Sequence, residues 1–471
     1  MPTDWSTFGV DLHVEFDPAN GRRAGLEHAL RDAIRRGRLA PGTRLPSTRA
    51  LAAELRLARG TVAAAYDQLV AEGYLRSRAG SGTVVADLAP AASVGAWRSP
   101  EPSRPRYDLR PGSPDVTAFP VDGWLRAARR ALTRAPASVY HYGDPRGRPE
   151  LRAAVAEYLG RARGVLASPE RIVITSGYVQ ALALLASVIG GTGAAIAMED
   201  PGLPFHRDVV RRNGTRVEAL PVDDRGARTD LLGDLPAVRA AVLTPAHQYP
   251  TGATLHAERR HAATRWARRR DALLVEDDYD GEFRYDRQPV GALQGMAPDH
   301  VVYVGTAAKT LGPALRLAWM VLPERMLEPV LDAKRHADLH TGSLGQLTLA
   351  EFISSHGYDR HIRACRLRYR RRRDLLVERL GHGYGGRFTV HGVAAGLHAM
   401  IQFPASGPGE AEVLGYAARQ GLALSGLASH AHGTGDQLSG IIVGYGTPSE
   451  SAYPAALDTL VRVLREVRAV T

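Results

Sequence analysis

Lys309 is the residue of this chain with the clearest potential for chemistry. Of the 60 lysine and arginine side chains, only Lys309 and Lys334 are lysines. A guanidinium stays protonated in proteins and cannot attack a carbonyl carbon, whereas a lysine amine can form a Schiff base. An ordinary surface lysine is the alternative, but the surrounding residues, Gly305-Thr-Ala-Ala-Lys-Thr-Leu311, favour a reactive one.

Further polar groups follow the ends of short apolar segments elsewhere in the chain. They comprise a helix-opening turn, acidic and phenolic side chains, a hydroxyl and an arginine: Ser176, Gly177, Tyr178, Asp277, Tyr279, Thr306 and Arg316. Backbone amides at the start of a helix suit a phosphate. Pyridoxal 5′-phosphate (PLP) requires all of these groups, because its aldehyde takes a lysine, its pyridine nitrogen a carboxylate, and its phosphate an arginine and amides.

Each of these signals is weak when it is taken alone. A helix-opening Ser-Gly pair is most often only a cap, and an acidic cluster such as residues 276–280 is more often a solvated turn or a Mg²⁺ site. Their shared position after apolar segments, and their order along the chain, favour one cofactor site over several unrelated features.

The groups can meet only if a sheet brings the segment ends to one edge. Apolar segments alternate with helical patterns, at residues 171–175, 194–198, 240–244, 272–276 and 301–304. This alternation predicts an α/β fold with a mainly parallel sheet covered on both faces. Ligands of such sheets lie beyond the carboxyl ends of the strands, so we expect residues 115–471 to form a cofactor-binding unit.

The front of the chain carries a different, basic pattern. Between Arg22 and Arg59, ten arginines stand against three acidic residues. Three apolar helical patterns, then alternating residues around glycines at 74–85, predict a winged helix-turn-helix whose third helix enters the major groove of DNA. The side chains expected to contact phosphates or bases are Arg44, Arg49, Arg59, Thr61, Arg76 and Arg78. A three-helix bundle with a solvated basic face is the alternative.

Composition divides the chain into four regions. Residues 1–20 are an N-terminal arm, residues 21–86 the DNA-binding domain, the proline-rich residues 87–114 a tether, and residues 115–471 the cofactor-binding unit. A single cysteine, Cys365, excludes intrachain disulfides and fits a reducing compartment, so we expect a cytoplasmic location. No segment is typical of a secretory signal or a membrane span. The net charge of +11 suits a polyanionic partner.

Two sets of motifs resemble known families. Leu39-Ala-Pro-Gly-Thr-Arg-Leu-Pro-Ser and Gly80-Ser-Gly-Thr are similar to the DNA-binding domain of GntR-type bacterial regulators. Tyr142-Gly-Asp-Pro, His247-Gln-Tyr-Pro-Thr-Gly and Glu276-Asp-Asp-Tyr-Asp resemble fold-type I aminotransferases, which have a large α/β domain and a smaller α+β C-terminal lobe. Joined in one chain, the two modules resemble the MocR branch of the GntR regulators.

The resemblance implies roles for individual residues. It implies Lys309 as the Schiff-base lysine, Asp277 on the pyridine nitrogen and Tyr279 on the ring hydroxyl. It places around the phosphate and ring Ser176, Gly177, Tyr178, Thr306 and Arg316, with His247 or Gln248 beside the ring. The implied DNA contacts are Arg49, Arg59, Thr61 and Gly80. A homodimer that reads repeated or palindromic half-sites is also implied.

Four features depart from the family pattern. After the helix-opening turn the family often has two glutamines, whereas only Gln180 is present here, after Val179. Ala308 stands where a serine is usual, and Leu203 stands where an aromatic side chain usually stacks on the ring, with Phe205 as a candidate substitute. The C-terminal segment around His430 and His432 holds no arginine for a substrate carboxylate. We favour a loop over a metal site for these histidines and expect no bound metal.

The sequence therefore predicts a transcription regulator that binds a double-stranded DNA operator. It would sense PLP, or an amine or amino acid that reacts with PLP, through an aldimine at Lys309. The alternative is an active PLP-dependent aminotransferase with an accessory DNA-binding domain. A third possibility is a regulator whose site no longer holds the cofactor.

Overall fold

A computed structural model describes residues 21–78, 82–87, 105–191, 193–285, 290–381, 388–432 and 439–467. The chain divides between residues 103 and 104 into two compact units. The predicted arm 1–20, Gly80 and the side chain of Arg78 lie outside the described residues. Within the described part of the chain, no helix has the length and apolar character needed to cross a membrane.

The first unit has the three helices and the hairpin that the sequence predicts. They are α1 Arg22–Arg35, α2 Thr48–Glu54, α3 Arg59–Ala71 and the antiparallel strands β1 Leu75–Arg78 and β2 Gly82–Val85. Apolar side chains along one face of each helix meet in a core that includes the fully buried Leu30, Val62 and Leu69. The Ser47 hydroxyl accepts a hydrogen bond from the Ala50 amide at 3.2 Å and so caps the start of α2.

The second unit begins inside the stretch that the prolines predict to be a tether. Residues Tyr107–Asp108 form a short strand, β3, that pairs in parallel with Leu422–Ala423. Leu109 is fully buried, and its amide donates to the Ala423 carbonyl at 3.0 Å. The predicted tether, which ran to Pro114, is therefore too long at its C-terminal end, because the Leu109 side chain joins the core of the second unit.

A central sheet of eight described strands organises the second unit. In chain order they are β4 Ile172–Thr175, β5 Ala195–Asp200, β6 Arg216–Asp223, β7 Gly226–Ala227, β8 Val238–Leu243, β9 Leu273–Asp278, β10 Val301–Thr306 and β11 Ala318–Val321. Their order across the sheet is β4-β11-β10-β9-β8-β5-β6-β7. Strands β10, β9, β8, β5 and β6 are parallel, while β11 runs antiparallel to both of its neighbours. The predicted, mainly parallel sheet is confirmed.

Helices cover both faces of this sheet. They are α4 Val121–Arg134, α5 Pro149–Arg163, α6 Tyr178–Ile189, α7 Pro204–Arg212, α8 Ala257–Arg270, α9 Glu324–Asp338 and α10 Ser343–Ser354. Side chains alternate along β4, so that Ile172 and Ile174 pack with α5 and α10 while Val173 packs with α6 and α9. Burial on both faces explains why the strands are continuous apolar runs in the sequence.

A smaller α+β lobe follows the long helix α11 Gly357–Leu380. Its strands are β12 Thr389–His391, β13 His398–Gln402, β14 Leu422–Ala423, β15 Ser425–Gly426 and β16 Gly440–Gly444, and its helices are α12 Glu410–Arg419 and α13 Tyr453–Glu466. An antiparallel sheet in the order β12-β13-β16-β15 shares one core with both helices, while β14 pairs with β3.

Candidate functional site

A cavity of about 400 Å³ lies at the carboxyl ends of the parallel strands. Its lining comes from several strand ends and from two more distant segments, and it includes Gly112, Gly177, Tyr178, Glu199, Leu203, His206, Arg207, Tyr249, Asp277, Tyr279, Thr306, Ala308, Lys309 and Arg316. Parallel strands end at the same edge of a sheet, so residues far apart in the chain meet there. Lys309, Asp277, Tyr279 and Arg316 therefore share one cavity.

Lys309 follows β10 and places its amine in this cavity. Its Nζ atom donates a hydrogen bond to the Gly112 carbonyl at 2.5 Å. Burial lowers the pKa of the Lys309 ammonium, and the carboxylates of Asp280 and Asp277 oppose that shift. A lowered pKa makes the neutral, nucleophilic amine available closer to neutral pH.

Asp277 presents its carboxylate to the same cavity from β9. Its strand neighbours point the other way, and Asp278 forms an ion pair with Arg163 at 2.7 Å. Asp277 is 6% exposed, and burial raises its pKa well above the ordinary value. Its Oδ1 atom has no hydrogen-bond partner among the described residues. A buried carboxylate oxygen without a partner, facing a cavity, suits a protonated ligand nitrogen.

Tyr279 and Thr306 complete the lining around the lysine. The Tyr279 hydroxyl donates to the His247 backbone carbonyl at 3.1 Å, and burial raises the pKa of this phenol well above its ordinary value. The Thr306 hydroxyl accepts a hydrogen bond from the Ala308 amide at 3.1 Å. The Thr306 hydroxyl thus orders the turn that leads to Lys309. Ala308, in the same turn, has no side-chain hydroxyl of its own.

The side chains of His247 and Gln248 lie behind the cavity wall. His247 Nδ1 lies 2.9 Å from Asp280 Oδ2, with both side chains fully enclosed. Gln248 Nε2 donates to the Pro201 carbonyl at 2.9 Å. Because buried partners hold both side chains, Tyr249 lines the cavity instead. Of the residues 247–249, only Tyr249 is thus among those that line the cavity.

The turn between β4 and α6 lies against the Arg316 guanidinium. Gly177 caps the 12-residue helix α6 with φ 99°, and a Cβ there would lie 2.8–2.9 Å from the Arg316 guanidinium atoms. Only glycine allows this close approach. The guanidinium also donates to the Ser176 carbonyl. A helix N-terminus next to an arginine is suited to a phosphate, although Ser176 itself stands behind the lining.

Glu199, the first residue of the segment Glu199-Asp-Pro-Gly202, is a cavity residue that the sequence reasoning missed. It lies near the end of β5, and the Thr244 amide donates to its carboxylate at 3.1 Å. The Thr244 hydroxyl donates to the second carboxylate oxygen at 2.5 Å. Burial raises the pKa of Glu199 to about 7. The cavity therefore contains an acid whose charge changes near neutral pH.

His206, on α7, was also missed. Its ring packs on Tyr178 with the ring centroids 4.8 Å apart. Burial, with a smaller contribution from the charge on Lys309, lowers the pKa of His206 to about 4. Phe205, the suggested substitute for a stacking aromatic, is 58% exposed and is not among the residues that line the cavity. Leu203 and His206 are the residues of this segment that line the cavity wall.

Arg207 brings a guanidinium to the C-terminal segment in which the sequence has no arginine. It donates to the carbonyls of Gly202 at 2.8 Å, His430 at 2.9 Å and Ala431 at 3.0 Å. Arg207 also lines the cavity. His432 Nε2 lies 3.2 Å from a backbone carbonyl at the end of β5. Helix α7 thus places a guanidinium against the backbone of this segment.

The predicted DNA contacts lie on the surface of the first unit. Arg59 is the first residue of α3 and is exposed, and Thr61 lies in the first turn. Three further arginines are exposed, namely Arg44, Arg49 and Arg76. The Arg44 guanidinium packs against Gly82, with Nε 3.4 Å from the position that a Cβ would occupy. Basic groups therefore lie both at the start of α3 and near the turn end of the hairpin.

Two protein families match this chain in sequence. Residues 109–420 match the family Aminotransferase class I and II, and residues 23–85 match the Bacterial regulatory proteins, gntR family. The chain is 34% identical over 442 residues to the probable rhizopine catabolism regulatory protein MocR of Rhizobium meliloti, covering 89% of each chain. It is 32% identical over 446 residues to the HTH-type pyridoxine biosynthesis transcriptional regulator PdxR of Corynebacterium glutamicum, covering 94% of each chain.

Solved structures agree with the fold of the second unit. An archaeal alanine:glyoxylate aminotransferase matches with a TM-score of 0.70 and 25% identity, over 76% of this chain and 91% of that chain. The α-aminoadipate aminotransferase LysN of Thermus thermophilus matches with a TM-score of 0.69 and 25% identity, over 76% and 92% of the two chains. The chain belongs to the MocR-type regulators of the GntR family, which join a helix-turn-helix domain to an aminotransferase class I and II domain.

Proposed function

We propose that the protein is a transcription regulator whose second unit binds PLP at Lys309 and responds to PLP, or to an amine or amino acid that reacts with it. The observation that carries the proposal is that Lys309, Asp277 and Arg316 line one cavity. When bound, PLP supplies an aldehyde that condenses with amines and a ring that withdraws electrons.

The cavity residues fit this cofactor. The buried Oδ1 atom of Asp277, without a partner among the described residues, matches a protonated pyridine nitrogen. Gly177 keeps open the space in front of Arg316 that a side chain would fill, which matches a phosphate. Tyr279 offers a phenol in the same lining, suited to a hydrogen bond with a ring hydroxyl.

Each of these residues has a defined physical task in the proposal. Lys309, with its lowered pKa, provides the neutral amine that takes a carbonyl group. Asp277 stabilises a proton on the ring nitrogen, because a buried carboxylate gains most from an adjacent positive charge. Arg316 and the first amides of α6 hold the phosphate and so fix the distance between ring and lysine.

The first unit would bind a double-stranded DNA operator through α3 and the hairpin. The support is the exposure of Arg59 at the start of α3, together with exposed arginines on both sides of it, Arg44, Arg49 and Arg76. Arg78 and Gly80, which follow Arg76 in the sequence, are part of the same proposed set of DNA contacts.

A homodimer is part of the proposal. Several large apolar side chains of the second unit are exposed, among them Leu125, Tyr140, Tyr142 and Leu339. Exposed apolar surface of this kind is typical of protein interfaces. A twofold dimer would also present two DNA-binding domains to repeated half-sites. Sedimentation equilibrium of the full-length protein tests this, and a monomer at micromolar concentration would contradict it.

Aminotransferase activity is the second candidate function. It is favoured by Arg207, whose guanidinium can hold a substrate carboxylate and which lines the same cavity as Lys309 and Asp277. Steady product formation from an amino acid and a keto acid would establish aminotransferase activity if Lys309→Ala abolished it. We expect no steady turnover, because the cavity lacks an aromatic residue at Leu203 and a serine at Ala308.

One experiment tests the regulator proposal as a whole. DNA from upstream of the protein's own gene is titrated with the purified protein, with and without PLP. The proposal expects PLP to change the DNA affinity of the wild-type protein and to leave that of Lys309→Arg unchanged. Identical affinities with and without PLP in both proteins would contradict it.

A further inference from the structure

Lys334, the second lysine of the chain, is fully buried on α9 and lies outside the cavity lining. Its Nζ atom lies 2.8 and 3.0 Å from the two carboxylate oxygens of Asp338 and 3.1 Å from the Thr341 hydroxyl. Three N–H donors therefore meet three acceptors. A guanidinium is larger and carries five donors, so an arginine here would leave donors unsatisfied. This accounts for a lysine in a chain that otherwise uses arginine.

Hydrogen bonds connect this lysine to the turn between β4 and α6. Asp338 Oδ2 accepts from Gln180 Nε2 at 2.7 Å, and Gln180 Oε1 accepts from the Ser176 amide at 2.7 Å. A second path runs through Thr341, whose hydroxyl donates to the Ile174 carbonyl at 3.1 Å. The buried ammonium is thus connected to the Ser176 amide in the turn and to the Ile174 carbonyl in the preceding strand β4.

The same turn is held from the cavity side by Arg316. Its guanidinium donates to the Ser176 carbonyl, while Gln180 accepts from the Ser176 amide. Both backbone groups of the residue before Gly177 are therefore fixed. The amides that remain for an anion are those of the first turn of α6, which have no partner within the helix.

We infer that Lys334 is a positioning residue for the phosphate of the cofactor. Through Asp338 and Gln180 it fixes the turn that presents the helix amides and Arg316 to the cavity. This inference rests on the proposed function, in which the cavity binds PLP. The two lysines of the chain then serve one site, Lys309 at the aldehyde and Lys334 behind the phosphate.

A comparison of PLP with pyridoxal, which lacks the phosphate, isolates this role. Lys334→Met is expected to weaken PLP binding about tenfold or more, which corresponds to the loss of one charge-assisted hydrogen bond. Its affinity for pyridoxal should be unchanged. Both affinities are measured by absorbance titration of the full-length protein. Arg335→Met, an exposed neighbour on α9, removes the same charge and should change neither affinity.

The outcomes separate this inference from the proposed function. If the wild-type protein does not bind PLP, the proposed function fails. If the wild-type protein binds PLP, two results would show that the inference is wrong. Lys334→Met could lose affinity for PLP and pyridoxal equally, or it could keep the wild-type affinity for both.

Gln180→Met provides a second test if Lys334→Met folds poorly, because it removes only the last link to the turn. It should show the same selective loss of PLP affinity, and the double variant should lose less than the two single losses added together. Equal affinity of Gln180→Met and the wild type for PLP would overturn the inference.

Discussion

The Lys309 amine donates a hydrogen bond to the Gly112 carbonyl, 2.5 Å away. Gly112 lies only a few residues beyond the point where the chain enters the second unit, between residues 103 and 104. The preceding strand β3 is fixed to the smaller lobe by its pairing with β14. Any reaction that consumes the Lys309 amine must therefore change a contact with the segment that continues toward the DNA-binding domain.

Gly112→Ala is expected to weaken the effect of PLP on DNA affinity. Gly112 has φ 120°, and an alanine in this region strains the backbone by about 1–3 kcal/mol, which displaces the carbonyl from Lys309. DNA titrations with and without PLP measure the effect. Gly164→Ala is the matched control, because Gly164 also has positive φ (68°) and open space around it but caps α5. If PLP changed the DNA affinity of Gly112→Ala as much as that of the wild type, the contact between Lys309 and Gly112 would not transmit the effect of PLP.

Glu199 predicts a pH dependence of stability. Burial raises its pKa from the ordinary 4.5 to about 7. The pKa of Glu199 is higher in the folded protein than in the unfolded chain. Its stabilising contribution to the free energy of unfolding is therefore fully present below pH 4.5 and is lost as the pH rises through about 7. Glu199→Gln should remove this loss, so that its stability relative to the wild type rises by about 3 kcal/mol across that interval. Urea unfolding at several pH values measures it, and parallel pH profiles would refute the assignment.

The buried ion pair between Arg163 and Asp278 should be important for stability. Its atoms are 2.7 Å apart, and both side chains are almost fully enclosed. Arg163→Met leaves an unpaired buried carboxylate, and we expect the free energy of unfolding to fall by about 3–5 kcal/mol. Arg161→Met, two residues earlier, breaks a half-exposed pair with Asp359 and should cost less than about 1 kcal/mol. Equal losses in urea unfolding would contradict this account.

Arg59→Ala should weaken operator binding by about 1–3 kcal/mol, because Arg59 opens the helix that is expected to enter the major groove. Arg36→Ala is the control for overall charge, since Arg36 pairs with Asp32 at the end of α1. Gel-shift titration at fixed salt compares the two. Unchanged binding by Arg59→Ala would show that another surface reads the DNA.

Much of the site could be predicted from the sequence because its groups follow strand ends. Lys309, Asp277 and Arg316 each stand after an apolar segment, and parallel strands bring such positions to one edge. The alternation of apolar and helical patterns was therefore enough to place them in one cavity. The helices and the hairpin of the first unit could also be predicted from the sequence, because their apolar patterns and turn residues are local.

Other parts of the site depend on contacts between distant segments. Arg207 and Gly112 reach the cavity from α7 and from the predicted tether, and no local pattern indicates either approach. Which side chain of a loop faces inward depends on buried partners. His247 Nδ1 contacts the buried Asp280 carboxylate, and the neighbouring Tyr249 lines the cavity.

Covalent labelling of Lys309 tests the central claim most directly. The protein is incubated with PLP, reduced with sodium borohydride, digested and mapped by mass spectrometry. The account predicts a pyridoxyl-phosphate adduct on the peptide that contains Lys309 and none on the peptide that contains Lys334. In Lys309→Arg, neither peptide should carry the adduct. An unlabelled Lys309 in the wild-type protein, or labelling at Lys334 instead, would contradict the account.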